Sequence, residues 1–510
     1  MNDWTAGYVA DIGYTYGYYN ELNPQRARLA LLRAGYASPT GGAVCELGFG
    51  QGVSANIHGA AQPGTMWGTD FNPSQAHFAQ NLAASCGSGA RLFDQSFSEF
   101  CTRDDLPEFD SIGLHGIWSW ISDENRAVIV DFIRRKLKVG GVVYASYNSL
   151  PGWAQKVPMR ELMVDYTDVM AAPGRTIVDR IGAALDFAEQ LVSCDTAFAR
   201  ANPWLPAWLE HLKRLDRNYL AHEYFNRDWQ PMSFARMASW LGSAKLDYAC
   251  SAAYLEDVAE INLTPEQRQL LGEIPDPMFR QTMLDFCINR QFRRDYWIKG
   301  GRQLGLTERT DRLRAERVIL TERRADVSLS VTGRLGEGTL NEDVYGPVLD
   351  ALADGQPRTL GEIESAVDGA ASLGQIVEAA MILIGKGAMQ IAQPEAVVGD
   401  VRPHTDHLNA TLLDHARGGM QIGYLASPVT GGGIAVSWSH QIFLLALLQG
   451  EKDPGAWAKF AWQLMEGQGQ RLVKGGEMLE SAESNLDELR NDAKGFSEHQ
   501  LPILCALQLI

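Results

Sequence analysis

The sequence predicts a doubly wound α/β unit followed by a mostly helical remainder, and three observations carry that prediction. Between residues 43 and 148, short apolar runs alternate with amphipathic stretches at the spacing of β-α-β units around a parallel sheet. A glycine turn, Gly48-Phe-Gly50-Gln-Gly52, follows the first of these runs. After Leu150-Pro151-Gly152-Trp153 the strand pattern stops and helical periodicity takes over.

Strands are expected over residues 43–48, 66–71, 91–96, 109–117 and 141–148, with helices over 73–85 and 123–138 between them. Asn72-Pro73 opens the first helix and Val139-Gly140-Gly141 closes the second, as an N-terminal proline and a C-terminal glycine should. Helices over 158–170, 176–193 and 276–298 mark a helical second unit. From residue 301, three short helices followed by a strand read as a winged-helix pattern, whose third helix would span 372–386. That helix is rich in Ala, Ile and Leu, which suits packing on another domain better than reading a DNA groove. The C-terminal segment is again helical, with a glycine-rich interruption at Thr430-Gly-Gly-Gly433 read as a plain turn, because no Lys-Ser/Thr follows to make a phosphate loop. The expected division is an N-terminal arm at 1–39, an α/β domain at 40–155, a helical domain at 156–300, a winged-helix-like domain at 301–400 and a helical domain at 401–510.

Composition narrows the function classes. A chain of 510 residues is too long for one core. Hydrophobic residues at 45% and charged residues at 21% exclude disordered and fibrous architectures. Setting 45 basic against 62 acidic residues gives a net charge of -17, which repels a nucleic-acid backbone. Residues 1–20 hold no Lys or Arg and no apolar core of a signal, and no apolar run is long enough to span a bilayer, so a cytoplasmic protein without a membrane partner is expected. The seven cysteines are scattered and never form C-x-x-C, which argues against disulfides and zinc. His404, His407 and His415 lack a cysteine partner and follow Arg402-Pro403, read as a linker, so no metal site is expected. The arginines between 309 and 324 alternate with acidic residues, as on a solvated, ion-paired face.

The chemistry sits in Val44-Cys-Glu46-Leu-Gly48-Phe-Gly50-Gln-Gly52, where a strand runs into a turn that lets backbone approach a ligand. In an open α/β sheet that turn lies in the ligand crevice at the carboxyl ends of the strands. The next strand ends at Asp70, at the distance expected of an acidic residue that accepts from ribose hydroxyls. The spacing is G-x-G-x-G with a carboxylate at Glu46. A pyrophosphate gains nothing from that carboxylate, whereas an ammonium and a sulfonium do, so S-adenosylmethionine fits better than a dinucleotide.

Through Glu46 to Gly52, Asp70, Asp94-Gln-Ser-Phe97 and Phe109 to His115, the sequence resembles the class I S-adenosylmethionine-dependent methyltransferases, with their Rossmann-like fold. Tyr147-Asn148-Ser-Leu-Pro-Gly-Trp153, Phe292-Arg-Arg-Asp-Tyr-Trp297 and the winged-helix segment are similar to bacterial methyltransferases with an appended regulatory domain, a group that includes rickettsial protein lysine methyltransferases. The resemblance implies Glu46, Gly48, Phe49, Gly50 and Gly52 around the methionine moiety, Asp70, Phe71 and Asn72 at the ribose, Gln95, Ser96 and Phe97 near the adenine, and His115 facing the methyl group. It also implies that the tyrosine-rich arm, Tyr14, Tyr16, Tyr18 and Tyr19, folds over the cofactor as a lid; a simple staple to the sheet is the other reading. Tyr14, Tyr16, Trp118, Tyr147 and Asn148 are expected to line the acceptor channel. The expected function is methyl transfer to a protein substrate, with lysine favoured. A small-molecule acceptor, or a non-catalytic sensor of S-adenosylmethionine, stays open, as does assembly into a homodimer.

Overall fold

The computed structural model describes residues 15–39, 41–170 and 174–510. Its centre is a seven-stranded sheet. Strands β1 (Gly42–Leu47), β2 (Gly64–Asp70), β3 (Arg91–Asp94), β4 (Phe109–Leu114) and β5 (Leu137–Asn148) are parallel, β6 is Leu246–Ser251 and β7 is Phe292–Lys299, in the order β3-β2-β1-β4-β5-β7-β6. β7 lies antiparallel between β5 and β6. The five parallel strands follow the apolar runs of the sequence. The other two were expected to belong to a helical domain, and they instead complete the sheet.

The physical reason lies in β7 itself. Phe292-Arg-Arg-Asp-Tyr-Trp297 carries three charges that mask a buried strand, because those charges are paired inside. Arg293 Nε lies 2.9 Å from Asp295 and its other arm 2.6 Å from Asp285, with all three residues buried. The Tyr147 hydroxyl donates to Asp295 at 2.9 Å. The helix expected over 276–298 therefore stops at Ile288: Asn289 adopts a left-handed conformation at φ 48° and ends the helix Pro277–Ile288, and the chain turns into β7.

Helices α1 (Pro24–Arg33), α2 (Val53–Ala61), α3 (Pro73–Cys86) and α4 (Asp123–Lys136) flank the sheet, and α5 (Arg217–Tyr224) belongs to the insertion between β5 and β6. In residues 301–394, a three-stranded sheet of Arg358–Thr359, Arg317–Leu320 and Met389–Ala392 packs with Glu342–Asp350, Leu360–Ala366 and α6 (Leu373–Lys386). The C-terminal half of α6 is buried on all sides, from Ala379 to Ile384, and Gly385 lies so close to the Tyr254–Asp257 turn that an added Cβ would stand 2.8 Å from Leu255. The arginine run is ion-paired, as in Arg312 with Glu308 and Arg314 with Glu364.

Arg402-Pro403 is not a linker. Both residues sit inside α7 (Glu395–Arg417), which runs across the expected domain boundary and packs on α2 and α3. His404 Nδ1 lies 3.0 Å from the Cys86 carbonyl and the His415 ring packs on Phe78, so these histidines pin α7 to α3. The glycine-rich interruption is a hairpin of Tyr424–Ser427 and Gly432–Ala435. Its glycines receive Tyr18 from the N-terminal arm: a Cβ on Gly433 would lie 2.9 Å from the Tyr18 ring. Tyr18 also shares a 3.0 Å hydrogen bond with His58 of α2. The ring is thus held between the hairpin and the sheet's helical layer.

That close approach predicts a cost for any side chain at the hairpin. Gly433→Ala should destabilise the protein by roughly 1–3 kcal/mol, as overpacking does. Urea denaturation of wild type and variant measures it, and equal midpoints would show that Tyr18 does not seat there.

Candidate active site

A cavity of about 570 Å³ opens at the carboxyl ends of the parallel strands. Three pieces of chain wall it: the strand-end loops, residues 219–228 with 291–292, and Thr15, Gly17 and Tyr19 of the arm.

Local conformation explains the strand-end wall. Gly48, Gly50 and Gly52 have φ of 72°, 57° and 68°, in the left-handed region that favours glycine. A Cβ on Gly48 would stand 2.2 Å from Ile117, which itself lines the cavity. Asp70 ties the turn to its own strand: one oxygen accepts from Gly50 N at 2.8 Å and the other from Asn72 N at 2.9 Å.

Glu46, Gly48, Phe49, Gly50, Asp70, Phe71, Gln95, Ser96, Phe97 and His115 all line the cavity. Gly52 and Asn72, expected beside them, do not. Gly52 is the N-cap of α2, where a Cβ would meet Ala79 at 2.5 Å. Asn72 caps α3, its side chain accepting from Ser74 N.

The acceptor-channel expectations need more correction. Tyr14 lies outside the described residues. Tyr16 packs on Phe78 at 5.2 Å, away from the cavity, because alternate residues of the arm face opposite sides: Thr15, Gly17 and Tyr19 face the cavity, Tyr16 and Tyr18 the C-terminal helices. Trp118 is fully buried, its Nε1 donating to Met232 Sδ, and Trp120 at the other end of the same short turn reaches the cavity. Tyr147 is also fully buried on its bond to Asp295, whereas the next residue along β5, Asn148, lines the cavity. Asn148 is 4% exposed and its backbone is held by Ser119 and Met232, but its amide nitrogen has no partner among the described residues. A buried polar group without a partner is rare and marks a place where a ligand can bind.

Tyr19 was expected in the arm's lid but not in the acceptor channel. Its ring stacks on His115 at 3.5 Å, and its backbone N–H donates to Ser54. Burial, then the charges of Glu46 and Glu223, push its phenol up to about 12, so Tyr19 stays protonated. His115, 2.9 Å from the Tyr144 hydroxyl, is held down at about 4 by burial and is neutral at ordinary pH. Trp153, Tyr219, Glu223 and Asp228 complete the far wall. Trp153 ends the Tyr147 to Trp153 segment read from the sequence, whereas only the three-dimensional insertion brings α5 there, so no local motif announces Tyr219, Glu223 and Asp228.

The two strand-end carboxylates are electrostatically costly. Burial, then Asp70, raises Glu46 to about 8, and burial raises Asp70 to about 6 against the pull of its two backbone donors. Glu46 Oε2 has no hydrogen-bond partner among the described residues. An unpartnered buried carboxylate beside a glycine cradle fits the cationic amino-acid end of S-adenosylmethionine, with Asp70 placed for the ribose hydroxyls.

Comparison with known proteins agrees with this geometry. Residues 216–299 match a family model described as a predicted methyltransferase regulatory domain. An "uncharacterized protein", sll1526 of Synechocystis sp., is 39% identical over 511 residues, covering 99% of this chain and 99% of its own. Another, RP789 of Rickettsia prowazekii, is 25% identical over 260 residues, 49% of this chain and 44% of its own. Among solved structures, PKMT2 from Rickettsia typhi in complex with AdoHcy has the same fold, with a TM-score of 0.68 at 17% identity over 96% of this chain and 100% of that one.

Glu46 gives a prediction with a definite sign. Its pKa in the fold lies above its unfolded value, so its contribution to stability is fully present below about pH 4 and is lost as the pH rises through about 8. Glu46→Gln should therefore match wild type at pH 4 and exceed it at pH 9 by roughly 2–4 kcal/mol in the ligand-free protein. Chemical denaturation at both pH values measures this, and a constant difference would contradict the assignment.

Proposed function

We propose that this chain, which belongs to the family of class I S-adenosylmethionine-dependent methyltransferases with a methyltransferase regulatory domain, methylates an amine on a protein, with a lysine side chain the favoured acceptor. The observation that carries the reading is the Asn148 amide nitrogen, a buried donor without a partner among the described residues, in the same cavity as the Glu46 and Asp70 strand ends.

S-adenosylmethionine, when bound, supplies a methyl carbon on a sulfonium, a leaving group that needs no acid. What remains for the protein is positioning, because transfer requires the nucleophile in line at near-attack distance. Glu46 and the Gly48 to Gly50 turn hold the amino-acid end, Asp70 the ribose, and Phe71, Gln95, Ser96 and Phe97 the base. The un-ionised Tyr19 phenol accepts from the acceptor's N–H and aims its lone pair, while the Asn148 amide nitrogen donates to an oxygen of the acceptor and fixes its position. Trp120, Trp153 and Phe292 give an unbranched alkyl chain an apolar passage, and exclusion of water there favours the neutral amine. His115 is too weak a base to take the proton.

The arm acts as a cover. Tyr19 closes the cavity from one side while Tyr18 is seated in the C-terminal hairpin, so the cover is fastened to a separate unit. We read residues 301–394 as a winged-helix-like module whose third helix, buried against the Tyr254–Asp257 turn, supports the regulatory domain. A scaffold of this size beyond the sheet supports a macromolecular acceptor.

Asn148→Ala should leave cofactor affinity nearly intact and lower turnover by up to about a hundredfold. Calorimetry with S-adenosylhomocysteine beside single-turnover methyl transfer measures the split. Parallel losses in both, with a lowered melting temperature, would make Asn148 structural. The acceptor class is read by incubating lysate with methyl-labelled cofactor and locating the label by mass spectrometry. Label on protein lysine supports the reading, and label confined to small molecules overturns the protein acceptor.

A further inference from the structure

We propose that His58 of α2 is a positioning residue for the methyl-donor site: one water held between its ring and the Glu46 carboxylate fastens Glu46 from within the fold and joins it to Tyr18 and the C-terminal hairpin. The inference deepens the reading of Glu46 as the partner of the donor's ammonium and rests on it.

Glu46 lines two cavities. One is the large cavity at the strand ends. The other holds about 10 Å³, close to the least that a single water needs. Strand register explains where this second cavity lies. Val44 and Glu46 point to one face of β1, their neighbours across the sheet are Ser111 and Gly113 of β4, and all four line it. Gly113 leaves the space open: a Cβ there would stand 2.3 Å from Leu22 of the arm, another lining residue. From the helical layer, His58 lines it too.

Two of the groups gathered here are buried polar atoms without a partner among the described residues, Glu46 Oε2 and His58 Nδ1. Their hydrogen-bonding senses are opposite. Burial pushes His58 down to about 3, so the ring is neutral and carries one hydrogen. Tyr18 decides which nitrogen has it. The phenol oxygen accepts from the Gly433 backbone and the Asn23 amide, so its own hydrogen goes to His58 Nε2, 3.0 Å away. The ring hydrogen is therefore on Nδ1, a donor, in a residue that shares the cavity with a carboxylate acceptor. A water accepts from the first and donates to the second, and Ser111 brings a hydroxyl to the same cavity. A carboxylate oxygen accepts more than one hydrogen, so Glu46 keeps its capacity for the donor's ammonium. The bridge also favours the ionised carboxylate, which is the form an ammonium needs.

Titrations of full-length wild type, His58→Gln and His58→Asn at neutral pH test this with two ligands. S-adenosylhomocysteine carries the amino-acid end that meets Glu46, and 5′-methylthioadenosine is a thioether of the same nucleoside without it. His58→Gln places an amide near the position of Nε2 and keeps a partner for Tyr18, whereas His58→Asn places one near Nδ1. Wild type should prefer S-adenosylhomocysteine, and in His58→Gln that preference should fall by about fivefold or more, the effect of a lost hydrogen bond to a charged group. His58→Asn should keep it, and 5′-methylthioadenosine should bind all three proteins alike. An undiminished preference in His58→Gln overturns the inference, and so does an equal preference in the two variants. Weakening of both ligands alike makes His58 structural and overturns it too. Wild type that binds neither ligand, or both equally, removes the reading of Glu46 itself.

Discussion

Two carboxylates buried side by side at the ends of adjacent parallel strands are the constraint on which the rest of this structure turns. Glu46 and Asp70 are both nearly inaccessible, and among the described residues no lysine or arginine lines the cavity they share. A protein in water does not keep such a pair without a reason, since desolvation of one charge is costly and a second like charge raises the cost. Asp70 offsets part of it by accepting two backbone hydrogens, and in doing so sets the shape of the glycine turn. Glu46 is left without that help at Oε2. What the site lacks is a cation, and a donor with an ammonium and a sulfonium supplies one.

The other domains follow from covering that end of the sheet. β6 and β7 extend the sheet on the β5 side and bring the insertion between β5 and β6 across the strand ends, so that α5 faces Glu46 from the far wall. The ion cluster of Arg293, Asp295 and Asp285 makes this possible, because it lets a charged segment lie within the sheet, between β5 and β6. On another side the arm is fastened twice, by Tyr18 in the hairpin glycines and by the Glu21 carboxylate on Arg294. The strand-end loops, the arm and the regulatory-domain wall of the cavity therefore come from three separate stretches of sequence. Among the described residues, no helix is long and apolar enough to cross a membrane.

What the sequence reveals and what it hides divides along the same physical line. The strand-end wall of the cavity was legible because it is local: a strand, three left-handed glycines and a strand-terminal acid lie within 25 residues, from Glu46 to Asp70. Two of the residues read with it, Gly52 and Asn72, serve the helices that begin there. The far wall of the cavity was mostly illegible because it is assembled at long range. Trp118 and Tyr147 carry the right chemistry and point into the core, while Trp120 and Asn148, one or two residues away, reach the cavity. An aromatic in a strand or short turn does not announce its side. The same ambiguity in the arm favoured Tyr16 over Tyr19. β7 was missed because paired internal charges read as solvent exposure, and Pro403 misled because an X-Pro step usually breaks a helix and here lies within one.

The claim at the centre of this account is that the strand-end carboxylates hold the methyl donor, and titration calorimetry with S-adenosylhomocysteine tests it most directly, on wild type and Asp70→Ala. The account predicts one site per chain, with affinity reduced in the variant by roughly 1.5–3 kcal/mol, the loss of hydrogen bonds to a charged group. Absence of binding to wild type, or an unchanged affinity in a folded variant, would contradict it.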